Sequence, residues 1–288
     1  MSIFIPGLAL EATDVAMPVL FIGHGSPMNV IEDNAYRRSW QALGADFGSG
    51  GRWPRPRLIV CISAHWLSEG WWLTGQARPR TIHDFGGFPA ELFAQQYPAP
   101  GAPDAARAIA DWLGDDWAVG VDDSVGEQGW GFDHGSWGVL KPMFPAADIP
   151  MVQLSMDYHR SPADHFALGA RLAALRERGV LIVGSGNIVH NLRAARWGAS
   201  DDSGAYDWAR AFDAEIARRI EVGELAALAN FQQLGDVARL SQPTHEHFLP
   251  LLYAAGAADA RLDQVEFFNA GIQMASISMR SVIWSRGV

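Results

Sequence analysis

Nine histidines stand in this chain of 288 residues, and three of them follow apolar runs in the same way. His24 comes after VLFIG, His65 after LIVCISA and His190 after LIVGSGNIV. Short, continuous apolar runs suit strands buried on both faces. In an open α/β sheet, the crevice outside the C-terminal strand ends is where residues far apart in sequence meet. One histidine in such a place reads as a packed or turn-capping side chain. Three repeats of apolar strand, short turn and histidine point to a shared site. Imidazole is the commonest neutral metal ligand and suits Fe, Zn, Cu and Ni. Ligands drawn from separate strand ends leave one side of an ion open, as a catalytic metal requires. The sequence has no HExxH or CxxC to supply a different metal motif.

Two further places carry histidine in a telling context. The segment PTHEHFLPLLY holds His245 and His247. Spaced by two on a helix they point apart, so one of them reaches the site, and spacing does not choose between them. The loop GWGFDHGSWGVL sets His134 among glycines and tryptophans, a setting for a planar aromatic ligand or for a tight turn packed by rings. Trp66, Trp130, Trp137 and Phe85 are candidate pocket walls that stack on such a ligand, or else core aromatics. His83, His159 and His165 read as surface residues or as supports behind the site.

The elements that must position these residues alternate. Strands are expected at residues 18–22, 58–63, 150–155 and 180–183, with an outer strand at 71–74 and late strands at 266–268 and 276–283. Helices are expected at 34–47, 102–113, 161–178, 205–221, 224–231 and 245–257. Ser161 and Pro162 open one of these helices and Gly179 closes it. The alternation predicts a single α/β domain with a central mostly parallel or mixed sheet, flanked by helices on both faces. The late strands favour the mixed form. Residues 1–16 read as an N-terminal extension and 17–288 as the catalytic domain.

Composition excludes several classes of partner. The chain is 49% hydrophobic and carries a net charge of -10. That argues against nucleic acid and against an anionic membrane, both of which demand a basic face. No apolar run reaches the roughly 18 residues of a membrane span, and the first residues lack the basic start of a signal peptide. The expectation is a soluble cytoplasmic protein, a monomer or small homo-oligomer. The single cysteine, Cys61, falls in an apolar run and reads as a buried, inert thiol.

Taken together, FIGHGSPMN, ISAHW, TIHDFGGFP, GFDHGSWGVL, GSGNIVHNL, PTHEHFLPLLY and SISMRSV resemble the class III extradiol dioxygenases, in particular the 4,5-DOPA extradiol dioxygenase-like branch. The resemblance runs from about Met17 to the C-terminus. It implies that His24, His65 and His247 hold a metal. It implies that His190 is a further ligand or an acid/base, and that His134 contacts substrate and helps move protons. Asp84 and the HDFGGFP loop are expected to line the pocket, Trp137 to meet the substrate, and His245 to sit near the substrate mouth. His245 and Gln242 depart from the pattern of close relatives, which leaves substrate identity open.

Such a site implies Fe(II) for activity, since Zn(II) has no redox chemistry, although Zn(II) is able to fill the site. The partners implied are a small catechol and O2, and the product a ring-opened semialdehyde. A zinc hydrolase and a non-catalytic metal-binding protein are the alternatives on the same fold. Oxygen uptake with a catechol separates them from the dioxygenase.

Overall fold

The computed structural model describes residues 10–124, 126–198 and 204–287. Ten strands are present among them: β1 (Val19–Gly23), β2 (Leu58–Ser68), β3 (Trp72–Thr74), β4 (Gly120–Asp122), β5 (Met151–Asp157), β6 (Val180–Gly186), β7 (Asp263–Phe268), β8 (Ile272–Gln273), β9 (Ile277–Ser278) and β10 (Ser281–Arg286). Eight of them form one sheet in the order β4-β3-β5-β2-β6-β1-β10-β7. The core strands β5, β2, β6 and β1 run parallel, while β10, β7 and the β3–β5 pair supply antiparallel edges. The sheet is therefore mixed, with antiparallel pairing at the late strands, where it was expected, and also at the outer strand β3.

Helices cover both faces. They are α1 (Ala35–Ala45), α2 (Ala90–Phe93), α3 (Pro103–Leu113), α4 (His134–Met143), α5 (Pro162–Leu172), α6 (Asp207–Glu221), α7 (Asp236–Ser241) and α8 (Leu249–Ala257). Alternate residues of each central strand enter different cores. Val19, Val60, Val152 and Ile182 face a layer that includes α3, α5, α6 and α8. Leu20, Ile59, Met151 and Leu181 face α1 and α4. Every residue of β1, β5 and β6 is buried; β1 and the start of β6 read as unbroken apolar runs, while the buried Gln153, Ser155 and Asp157 interrupt the run in β5. Burying each large aliphatic side chain contributes about 1.5–3 kcal/mol.

Several elements differ from their sequence expectations: the strand expected over residues 276–283 divides into β9 and β10, and the helix expected over 161–178 tightens into a 3-10 helix after Leu172. The strand expected to stop at Ser63 continues to Ser68, with a register shift against β5 between Ile62 and Leu67. His65 therefore lies on a bulged strand rather than after one, and a bulge re-aims a side chain. The stretch expected as a loop around His134 turns into α4, whose N-cap Asp133 accepts from the backbone N–H of Ser136 at 3.1 Å. The helix expected over residues 245–257 starts at Leu249. Pro250 belongs in a first turn because it lacks an N–H to donate, and His245 and His247 are left in the turn before it. Residues 10–16 pack on the domain: the carbonyls of Leu10 and Glu11 accept from Arg178 and Arg57. Among the described residues no helix is long and apolar enough to cross a membrane.

Candidate metal centre

The ends of β1, β6 and β2 bring the predicted histidines together. His24 leaves β1, and its backbone N–H donates to the Gly186 carbonyl at the end of β6. Asn187, the next residue, donates its N–H to the carbonyl of His247 at 2.8 Å, which fixes the turn before α8 against the same strand end. His65 comes up from the bulge in β2. One ring nitrogen from each of His24, His65 and His247 lies within 4.8 Å of the others. The rings come from three distant parts of the chain and meet in one place.

The outward nitrogens of these rings are already engaged. Ser185 Oγ donates its one proton to the Gly135 carbonyl, so it accepts from Nδ1 of His24 at 3.0 Å. Nδ1 of His65 stands 3.1 Å from Asp84 Oδ2. Nδ1 of His247 pairs with Glu246 Oε1 at 3.1 Å. Metal-ligating histidines characteristically donate the other ring N–H to a carboxylate, carbonyl or hydroxyl, which fixes the ring and the tautomer. The Nε2 lone pairs are then free to converge. Two ligands about 2.0–2.1 Å from a shared ion stand roughly 3.0–3.4 Å apart; Nε2 of His24 and Nε2 of His65 are 3.5 Å apart. The donor set fits a divalent ion, with three imidazoles and one side open.

Electrostatics agree with that fit at two of the three ligands. Burial first, then the neighbouring imidazoles, holds His24 and His247 well below the ordinary histidine range. Both are neutral at neutral pH, the state in which imidazole binds a cation. His65 is raised, because Asp84 and Asp133 together outweigh its burial. His190 is pushed down to about 4 by burial. Its ring stacks on His247, with centroids 3.4 Å apart and planes 7° from parallel. It belongs to a group with Glu246 and His247, apart from His24 and His65.

On the other flank, His134 opens α4 with its ring centroid 3.9 Å from that of His65. Asp84 Oδ1 approaches Nδ1 of His134 to 2.9 Å and accepts the His134 backbone N–H at 3.0 Å. The side-chain approach is a charge contact rather than an aligned hydrogen bond. Burial works against the Asp84 carboxylate, but His134 and His65 outweigh it and hold the group well below the usual carboxylate range.

A cavity of about 330 Å³ opens over these rings, lined by His24, His65, Asp84, His134, His190 and His247 on its polar side. Phe85, Phe88, Leu192, Trp197, Met274 and Ile277 supply apolar wall. A larger surface groove lies elsewhere, along α1 and α4, and holds none of the histidines.

Several expected wall residues stand back from the cavity. Trp137 is fully buried and donates Nε1–H to the Ile82 carbonyl, so it braces the loop that carries Asp84 and Phe85. Trp66 and Trp130 stack on each other 5.5 Å apart, away from the cavity lining. His245 turns toward Phe231 and Gln232, outside the lining, because the turn before α8 gives it a different direction from His247. His165, expected near the surface or behind the site, is instead buried in the core against Tyr253. Gln242 is also buried, its amide donating to the carbonyls of Asn187 and Ile188. Sequence reasoning missed Leu192, Trp197, Met274 and Ile277, which reach the mouth through loops and the short strand β9. It also missed Ser185 and Glu246, although both adjoin motif histidines or glycines.

Comparisons with known proteins agree with this geometry. Residues 18–282 match the family described as the catalytic LigB subunit of aromatic ring-opening dioxygenase. A 4,5-DOPA dioxygenase extradiol of Escherichia coli K12 is 47% identical, covering 92% of this chain and 94% of that protein. A protein of the same name from Beta vulgaris is 36% identical, covering 86% of this chain and 90% of its own. The crystal structure of an uncharacterized protein from Escherichia coli K12 superposes with a TM-score of 0.76 and 42% identity, covering 93% of this chain and 99% of that one. The chain belongs to the LigB family of aromatic ring-opening dioxygenases. It is an enzyme of the extradiol class.

Proposed function

We propose that this enzyme opens the ring of a small catechol, DOPA or a compound like it, with O2 to give a semialdehyde, and that Fe(II) is the metal it uses. The observation that supports this reading most is the convergence of His24, His65 and His247 with every Nδ1 held by an outer partner. In this reading those three side chains hold the ion. Bound ferrous iron supplies the electron transfer between ring and oxygen that zinc lacks.

The protein's own residues then do the rest. The cavity admits a planar ring, and Phe85, Phe88 and Trp197 exclude water from its faces. The vicinal hydroxyls face the three imidazoles. His134, with Nδ1 against Asp84, presents Nε2 to a hydroxyl and takes its proton. Asp84 stabilises the imidazolium that results. The proton returns from Nε2 as the ring opens, a role worth about 10²–10⁴ in rate. We assign His190 as the second acid/base rather than a fourth ligand. Burial keeps it neutral and a weak base at neutral pH, so it takes up a proton only from an acidified hydroxyl and gives it back easily. In this reading residues 17–288 form the catalytic domain, working in the cytoplasm.

The test is anaerobic loading of the apoprotein with Fe(II), then a catechol panel that includes DOPA, followed by oxygen electrode and absorbance. Oxygen uptake matched one to one by a yellow product is expected. Iron-loaded protein that consumes no oxygen with any catechol overturns the proposal.

A further inference from the structure

Asp84 lies in the loop between β3 and α2, in neither helix nor strand. The loop is nonetheless held firmly. The N–H of Ile82 donates to the Phe132 carbonyl, and the Ile82 carbonyl accepts from Trp137 of α4. This strap delivers one carboxylate to two imidazoles of different assigned function. Oδ2 stands 3.1 Å from Nδ1 of His65, and Oδ1 stands 2.9 Å from Nδ1 of His134. Oδ1 also accepts the first N–H of α4, where a negative charge is favoured by the helix dipole.

We propose that Asp84 is a positioning residue that clamps a metal ligand and the proton-transfer histidine together, and fixes both rings with the proton on Nδ1. The inference rests on the reading of His24, His65 and His247 as the ligands. Its physical basis is the sign of the contact. A ring N–H near a carboxylate is attracted; a ring lone pair facing the same oxygen is repelled. With Nδ1 protonated on both rings, the Nε2 lone pairs of His65 and His134 are the ones offered to the cavity. Both carboxylate oxygens already face imidazoles, so Asp84 acts on substrate through His134 rather than by direct contact. Metal holding and proton transfer are thereby tied to one side chain.

Two measurements test this without any substrate. In the apoprotein at alkaline pH, where His65 has lost its extra proton, long-range ¹H–¹⁵N correlation spectra of the imidazoles should show His65 and His134 as Nδ1–H tautomers, and Asp84→Asn should shift His134 away from that form. Calorimetric titration of apoprotein with Zn(II) should show binding about 10–100-fold weaker in Asp84→Asn, with His134→Ala close to wild type. A third measurement uses turnover with Fe(II) kept saturating, so that weaker metal binding does not register: adding Asp84→Asn to His134→Ala should slow kcat no further. An Nε2–H tautomer at His134 in the wild type, which needs no variant to fold, overturns the proposal. So does Asp84→Asn protein that folds and binds Zn(II) as wild type does. Wild-type protein that binds Zn(II) but opens no catechol once loaded with Fe(II) sinks the proposed function and leaves both substrate-free results to stand or fall alone.

Discussion

Replacing Gly186 with alanine probes how closely the sheet and the metal turn must approach. Gly186 ends β6, and a Cβ built there falls 2.2 Å from the carbonyl oxygen of His247 and 3.3 Å from Pro250. That oxygen belongs to backbone held by the Asn187 N–H at 2.8 Å, so no flexible side chain absorbs the clash. The two must separate by at least about 0.8 Å before the contact becomes tolerable in a close-packed interior. A ligand constellation tolerates roughly 0.5 Å, so His247 leaves the shared position. Gly186→Ala should therefore weaken Zn(II) binding at least tenfold by calorimetry, and cost about 1–3 kcal/mol of stability from overpacking. Gly44→Ala is the control. Its Cβ meets the Met143 carbonyl at 2.0 Å where α1 crosses α4, away from all three ligands. It should lower stability comparably and leave metal affinity within about twofold. Metal binding in Gly186→Ala equal to that of wild type would refute the claim that β6 sets the position of His247.

Other consequences follow from single contacts. Trp197 lines the cavity yet is 72% exposed, so Trp197→Ala should raise KM about 2–10-fold, the worth of one aromatic contact, with unfolding in urea unchanged. Asp263 forms a two-pronged pair with Arg176 at 2.7 and 2.8 Å, both side chains almost wholly buried. Asp263→Ala strands the guanidinium and should cost about 3–5 kcal/mol in equilibrium unfolding. The third case concerns pH. Trp71 can only donate, so the Tyr253 hydroxyl accepts from it and gives its own proton to Nδ1 of His165, 2.7 Å away. Burial pushes His165 down to about 4. The unfolded chain binds the proton near pH 6.5 and the folded one does not, so stability falls as pH drops from about 6.5 to 4. The loss from this group is about 3 kcal/mol. His165→Gln should flatten that part of the stability curve, and an unchanged acid slope contradicts the assignment.

Residue order revealed the parts of this protein that are local or periodic. Mostly apolar runs announced β1, β2, β5 and β6, because strands buried on both faces admit few polar positions. Histidines placed just after those runs announced the site. What stayed hidden depended on the third dimension. The β2 bulge is set by pairing with β5, which a linear reading of LIVCISAHW does not contain. Glycines and tryptophans around His134 masked α4, whose start is fixed by Asp133 accepting from Ser136. Trp137 looks like a ring-stacking wall in sequence, yet its side chain points into the core. Trp197 and Leu192 reach the cavity from irregular segments with no period to read. Spacing alone did not separate His245 from His247; the resemblance chose His247, and the structure gives the reason, since α8 starts at Leu249 and leaves both in the turn before it.

The most direct test is crystallographic. Apoprotein crystals soaked anaerobically with Fe(II) and measured at the iron absorption edge should give one anomalous peak, within about 2.0–2.3 Å of Nε2 of His24, His65 and His247. His190 should stay stacked on His247 with its nitrogens outside that distance. A peak ligated by His190 in place of one of the three, or no ordered iron between them, contradicts the account.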